Sequence, residues 1–100
     1  MQIKIGAIDY EVQHVRQHFD NEWVGQISFT DQVIRISQDL KDPIPTLLHE
    51  IIHGMLINMG IVDHDEKFVQ QISCLLHQVL KDNPDLMKAI AGEISLRAQM

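Results

Sequence analysis

The segment TLLHEIIHG, from Thr46 to Gly54, contains two histidines four residues apart and a glutamate directly after the first. On a helix, His49 and His53 lie one turn apart on the same face, so their ring nitrogens can bind one zinc ion. Glu50 is rotated away from the metal and can take a proton from a zinc-bound water. Zinc lowers the pKa of that water, which then attacks a carbonyl carbon. The spacing therefore predicts a zinc hydrolase site with Glu50 as its general base.

The residues around this motif favour a metal over coincidence. H-E-x-x-H also arises by chance, in which case His49 and His53 would be ordinary core histidines. Apolar side chains occupy most other positions of the helix: Leu47, Leu48, Ile51, Ile52, Met55, Leu56 and Met59. A helix that is apolar nearly all round is expected to be buried. Buried ionisable groups without partners cost several kcal/mol, and a bound metal would offset that cost.

A second histidine pair has the same spacing but different neighbours. His14 and His18 lie among Gln13, Arg16 and Gln17, with no acid at the position equivalent to the glutamate of the motif. This pair is interpreted as part of a solvated surface.

The third zinc ligand has several candidates. A catalytic zinc has three protein ligands and one open position. The extended motif H-E-x-x-H-x-x-G-x-x-H is excluded, because Leu56 and Met59 stand where it needs Gly and His. The next helix opens with VDHDEKF, which supplies His64, Asp65 and Glu66.

Glu66 is the first choice for this ligand. It flanks the predicted inward face of the second helix, formed by Val69, Ile72, Leu76, Val79 and Leu80. His64 is the second choice, because it precedes the helix, and Asp65 is the third. A capping box between Asp63 and Glu66 would explain the glutamate without any metal.

The first 37 residues are predicted to form short β-strands. IKIG and AIDYEVQHV carry alternating or β-branched residues and meet at Gly6. The segment from Gly25 to Ser37 predicts a hairpin that turns at Thr30-Asp31-Gln32.

The rest of the chain is predicted to be helical. The first helix starts at Asp42-Pro43 and stops at Gly60, and the second is capped by Asp63 or Asp65. A third starts at Asn83-Pro84, with apolar positions Leu86, Met87, Ile90, Ile94 and Leu96. These elements predict one α+β domain over residues 1–100, with the helices on one face of an antiparallel sheet.

Charge and composition restrict the partners. The net charge is −6 and no Lys/Arg cluster exists, which argues against nucleic acid. No apolar run is long enough to span a bilayer. Cys74 is the single cysteine and lies among aliphatic residues, so we expect an inert buried thiol and a reducing cytoplasm.

The segment LLHEIIHGMLINMGI, followed by HDEKFVQQISCLLHQVLKDNP, resembles the small zincin-like metallopeptidases of phages and prophages, related to the ImmA/IrrE family. The resemblance covers most of the chain. It implies zinc held by His49, His53 and Glu66, with Glu50 as general base. It also implies cleavage of a protein substrate, such as a repressor, in the host cytoplasm. The chain departs from the family where Val69-Gln70 replaces an Ala-Asn pair.

The substrate is expected to pair with an edge strand beside the active-site helix, as in other sites that bind extended peptides. The strand from Val33 to Ser37 is the candidate for this edge. Tyr10 and His77 are candidates for stabilising the oxyanion.

Three functions from different classes remain open at this stage. The first is a zinc metallopeptidase acting on a protein or peptide. The second is a non-catalytic zinc-binding domain that serves as a protein-interaction module, and the third is a metal-free interaction module. Glu50 favours the enzyme, because a structural zinc site with four protein ligands has no use for a base.

Overall fold

The computed structural model of the chain describes residues 1–16 and 24–100. Four strands come first: β1 (Gln2–Ile5), β2 (Ile8–Val15), β3 (Gly25–Ser28) and β4 (Val33–Ser37). Four helices follow: α1 (Ile44–Asn58), α2 (Glu66–Asp82), α3 (Pro84–Ile90) and α4 (Leu96–Gln99). The protein is therefore a mixed α+β structure, as the sequence predicts. Among the described residues, no helix is long and apolar enough to cross a membrane.

The predicted hairpin over residues 25–37 is confirmed, and the two strands expected to meet at Gly6 form a second hairpin. The β1–β2 turn contains Gly6 at a φ of +61°, a left-handed conformation that suits glycine. The β3–β4 turn contains Gln32 at a φ of +56°. His14 is exposed on β2, as expected for a solvated surface, whereas His18 lies outside the described residues.

The strand order is β1-β2-β4-β3, and the pairing of β2 with β4 is parallel. The prediction of a wholly antiparallel sheet is therefore wrong. The β3–β4 hairpin joins the sheet through β4, which makes β3 the edge strand. The prediction that Val33 to Ser37 forms the edge is also wrong. The burial of Val33, Ile34, Ile36 and Ser37 agrees with a central position for β4.

Helix α1 forms the core together with the sheet. It packs on β1, β3 and β4, whereas α2 packs mainly on α1 and α3 on α2. The central apolar cluster consists of Ile5, Tyr10, Ile34, Ile36 and Leu47. The helices thus follow one another outward from the sheet, instead of all packing on one sheet face as expected.

The ends of α1 lie close to their predicted positions. The Asp42 carboxylate accepts a hydrogen bond of 3.1 Å from the backbone N–H of Ile44. The chain leaves the helix after Asn58 and reverses at Gly60, whose φ is +84°. Met55 and Met59 are exposed near this end, so α1 is not buried all round.

Helix α2 begins with an N-cap that differs from the capping box considered above. Asp65 is the N-cap, and its side chain accepts a hydrogen bond of 3.0 Å from the backbone N–H of Lys67. Glu66 is the first helical residue, so a box that pairs it with Asp63 does not form. The glutamate needs another explanation than capping.

The inward face of α2 is narrower than predicted. Val69 and Ser73 are buried, whereas Ile72 and Val79 are exposed. The prediction that Cys74 is buried is wrong, because its thiol lies on the exposed side of α2. The large exposed apolar residues on α2 are Phe68, Ile72, Leu75 and Val79.

The predicted third helix is two short helices, α3 and α4. Gly92 interrupts it at a φ of +79°, which ends a helix readily. Neither helix contains a buried residue. The apolar spacing of this segment therefore does not reflect packing against the core.

Replacing Asp65 by Ala tests the cap of α2. We expect the metal-free protein to lose about 0.5–2 kcal/mol of unfolding free energy, because the N–H of Lys67 loses its acceptor. Urea unfolding in the presence of a chelator measures this change. The matched control is Asp63→Ala, for which a change below about 0.5 kcal/mol is expected. A larger effect at Asp63 than at Asp65 would contradict the assignment.

Candidate metal centre

Two turns of α1 place His49 and His53 side by side. Their Nε2 atoms are 3.1 Å apart, and each side chain is 14% exposed. Glu66, at the start of α2, completes the group: both of its carboxylate oxygens lie 3.1 Å from His53 Nε2. Its Oε1 is also 2.5 Å from His49 Nε2. Three donor atoms from two helices therefore face one point and could hold a metal ion.

The donor set fits zinc by its chemistry. Imidazole nitrogen and carboxylate oxygen bind zinc at about 2.0–2.2 Å in a tetrahedral arrangement. Tetrahedral donors at those lengths are about 3.3 Å apart, close to the 3.1 Å that separates His53 Nε2 from His49 and Glu66. The third pair, His49 Nε2 and Glu66 Oε1, is closer, at 2.5 Å. Two imidazoles and one carboxylate also leave a fourth position unfilled by protein.

The histidines change the electrostatics of Glu66. Partial burial would raise the pKa of this carboxyl, but hydrogen bonds from His53 and His49 and their nearby charge outweigh it. The pKa of Glu66 is therefore below its usual range. The carboxylate is kept ionised, as a metal ligand must be.

Glu50 lies beside the three donors and is not one of them. It is only 8% exposed, and this burial raises the pKa of its carboxyl above the usual value. His49 and His53 oppose the rise, as does a hydrogen bond from the backbone N–H of Ile27 in β3. Glu50 thus has the properties of a general base: a fixed position and a raised affinity for protons.

A glycine lets the edge strand reach this glutamate. A Cβ on Gly25 would lie 2.5 Å from Thr46 Cγ2 and 3.3 Å from Glu50 Oε2. The first distance is too short for two carbon atoms. The absence of a side chain at Gly25 therefore allows β3 to lie directly against the face of α1 that carries Thr46 and Glu50.

His64 approaches the group from the outside. Its Nε2 is 2.5 Å from Nδ1 of His53, the ring nitrogen that faces away from Glu66 and His49. Its own Nδ1 lies 3.2 Å from the backbone oxygen of Ile61. Of the three sequence candidates, only Glu66 contributes to the donor group. Asp65 is occupied in capping α2.

A cleft of about 390 Å³ opens over the donors. It is bordered by β3, α1 and the first turn of α2, through residues Val24, Gly25, Pro45, Thr46, His49, Glu50, Glu66 and Gln70. Sequence reasoning missed Gly25, Thr46 and Gln70. Gln70 could have been found, because it lies one helical turn after Glu66 on the same face.

Neither sequence candidate for the oxyanion lines this cleft. Tyr10 is 1% exposed in the core, where its ring packs edge-on against Phe29 at 6.1 Å. That burial raises the pKa of the Tyr10 hydroxyl. His77 lies eleven residues after Glu66, about 16 Å further along α2. Both predictions are wrong.

No protein-family model, curated protein or solved structure matches this chain.

The variant Gly25→Ala tests the close approach of β3 to α1. We expect a loss of about 1–3 kcal/mol in unfolding free energy, because the new methyl group overlaps the Thr46 methyl. Thr46→Ser removes that methyl and keeps the hydroxyl, so the cost of Gly25→Ala should fall in the Thr46→Ser background. Urea unfolding of the four proteins in this cycle gives the coupling. Equal costs in both backgrounds would contradict the contact.

The raised pKa of Glu50 makes the stability of the metal-free protein depend on pH. The folded state holds this proton more tightly than the unfolded state, so stability falls as pH rises through the raised pKa. Glu50→Gln removes this loss and should raise the unfolding free energy of the metal-free protein at neutral pH. The gain should vanish below about pH 4, the ordinary range for glutamate.

Unfolding in chelator at several pH values measures this gain, with Glu93→Gln as the control at an exposed carboxylate. A gain that is the same at every pH would show that titration of Glu50 is not its cause.

Proposed function

We propose that the protein is a zinc-dependent metallopeptidase of the zincin type, related to the ImmA/IrrE family, that hydrolyses a peptide bond in a protein substrate. One observation carries the proposal: the donor group of His49, His53 and Glu66 lies beside a buried Glu50 at the mouth of a cleft. Two imidazoles, one carboxylate and an adjacent base match the needs of zinc-dependent hydrolysis.

The alternative is a non-catalytic zinc domain that binds a protein partner. A structural site requires four protein ligands. Among the described residues, His64 is the nearest candidate for a fourth, and it contacts the outer nitrogen of His53. The cleft is lined by His49, Glu50 and Glu66, so solvent and substrate have access to the donors. These features favour catalysis.

The chain's own residues supply three functions in the reaction. His49, His53 and Glu66 would hold the ion, which when bound acts as a Lewis acid and lowers the pKa of water. Glu50 accepts the proton of the attacking water at a carboxylate oxygen and delivers it to the nitrogen of the leaving peptide. The N–H of Ile27 fixes the orientation of that carboxylate.

The edge strand β3 offers main-chain groups to an extended peptide. Ser37 N–H donates to the Val24 oxygen at 2.9 Å, and Gly25 is opposite Ile36 in the register. In an antiparallel ladder the bonding alternates, so the N–H and C=O of Gly25 and Ile27 point away from β4. Ile27 N–H faces Glu50, which leaves Gly25 as the pairing point for substrate.

The partners and location follow from this chemistry and remain part of the proposal. The substrate is a protein or peptide, bound as an extended strand, and a repressor or another phage or host protein fits the family resemblance. The acidic chain, with a net charge of −6, argues against nucleic acid. The proposed compartment is the host cytoplasm.

Metal analysis and peptidase assays on matched variants test this function. We expect about one zinc per chain in the wild type and in Glu50→Gln. Glu50→Gln should lower peptide hydrolysis by about 10²- to 10⁴-fold without releasing zinc, because only the base is removed. His49→Ala should lose both zinc and activity, whereas the exposed His14→Ala should lose neither.

Two results would contradict the proposed peptidase function. Zinc uptake without hydrolysis of any peptide from a degenerate library, unchanged by Glu50→Gln, would favour the non-catalytic domain. Absence of zinc after reconstitution would overturn both zinc hypotheses.

A further inference from the structure

We propose that His64 is a positioning residue that fixes the ring orientation and tautomer of His53 for metal binding. This inference rests on the proposed zinc site and assigns His64 a function other than that of a ligand. The ring centroids of the two histidines are 4.7 Å apart, and their facing nitrogens are in hydrogen-bond contact. His64 is therefore close enough to control His53 directly.

The proton positions follow from one fixed acceptor. The backbone oxygen of Ile61 can only accept, so the His64 Nδ1 that lies 3.2 Å from it must carry the hydrogen. In a neutral imidazole the other nitrogen is then an acceptor, so His64 Nε2 accepts. The His53 nitrogen that faces it is Nδ1, so a hydrogen bond between the two rings needs the hydrogen on His53 Nδ1. In the metal-free protein the Glu66 carboxylate competes for this hydrogen at Nε2, whereas a metal bound at Nε2 would leave it on Nδ1.

That Nε2 atom is the one that faces Glu66 and His49. A metal ligand must present a lone pair, and a histidine ligand commonly donates its other N–H to an outer partner that fixes the ring. The hydrogen bonds that run from the Ile61 oxygen through His64 to His53 supply this arrangement. It explains why a histidine stands just before α2 without reaching the donor group.

The Ile61 carbonyl, at which this series of hydrogen bonds begins, is itself held against α1. The N–H of Ile61 donates to the Leu56 oxygen at 2.9 Å, and the N–H of Gly60 donates to the Ile57 oxygen at 2.9 Å. These bonds hold the turn after α1 in place. The Ile61 carbonyl therefore has a defined position relative to His53, because backbone hydrogen bonds to α1 hold it.

His49 has no comparable support. Its Nδ1 is buried without a hydrogen-bond partner among the described residues. Of the two outer ring nitrogens, only that of His53 therefore has a hydrogen-bond partner among the described residues. We expect loss of the His64 acceptor to weaken metal binding more than an ordinary surface change would.

Zinc affinity, measured by competition with a chromophoric chelator, provides the first test. His64→Phe keeps a ring of similar size but removes the acceptor, and should weaken zinc binding by about 10- to 100-fold. His64→Gln places a carbonyl oxygen near the former Nε2 and should restore most of the affinity. His77→Phe makes the same change on α2, away from the donor group, and should have no effect.

The tautomers in the metal-free protein provide a second test that does not need zinc. Two-bond ¹H–¹⁵N NMR spectra, recorded in alkaline buffer where the rings are neutral, distinguish Nδ1–H from Nε2–H. In the wild type we expect Nδ1–H for His64, and for His53 both Nδ1–H, bonded to His64, and Nε2–H, bonded to Glu66. In His64→Phe, His53 should shift to Nε2–H, because the Glu66 carboxylate is then its remaining acceptor among the described residues.

The outcomes separate this inference from the proposed function. Wild-type affinity in His64→Phe, or the same His53 tautomer ratio in His64→Phe as in the wild type, would overturn the positioning function while leaving the zinc site intact. Complete loss of zinc in His64→Gln as well as His64→Phe would identify His64 as a ligand and also overturn it. If the wild type binds no zinc, the proposed function fails, and the tautomers alone decide whether His64 orients His53.

Discussion

The close approach of helix α1 to strand β3 is the constraint on which the candidate site depends. Two glycines permit it. Gly25 faces Thr46 and Glu50, and a Cβ on Gly54 would lie 2.8 Å from the terminal carbons of Ile5 and Ile27. With larger residues the helix would stand further from the sheet. The Glu50 carboxylate would then lose the Ile27 N–H, and the cleft would lose its β3 wall.

A metal bound at this site would also stabilise the packing of α2 on α1. The described apolar core is small, and α2 buries only Val69 and Ser73. Two of the three donors come from α1 and the third from α2. A metal at this point would therefore tie α2 to α1 more firmly than their apolar contact does, since ligand binding to the folded state adds to its stability. The bonds from His49, His53 and Glu66 to the metal would then serve both catalysis and stability.

The sequence predicted the features of the fold and of the site that depend on local spacing along the chain. H-E-x-x-H gives the positions of His49, Glu50 and His53 on one helix, and the strand and helix boundaries follow from turn residues and caps. The choice of Glu66 over His64 came from helical geometry, and the structure places its carboxylate with the two histidines. The function drawn from these residues is still a proposal.

The predictions that were wrong concern features that depend on contacts between residues far apart in the sequence. Strand β4 has an apolar pattern that suits either an edge or a centre, and nothing local shows that it pairs with β2 in parallel. Tyr10 carries a hydroxyl that suits an oxyanion site, but sheet register directs it into the core. Ile72 and Cys74 are apolar residues on an amphipathic helix, and only the packing of α2 decides that both are exposed.

X-ray absorption spectroscopy of the zinc-loaded protein is the most direct test of the proposed metal centre, because it counts the imidazoles around the ion. We expect two imidazole nitrogens, one carboxylate and one oxygen that does not come from the protein. Three imidazoles would place His64 on the metal and indicate a closed, structural site. That result would contradict the catalytic centre proposed for His49, Glu50, His53 and Glu66.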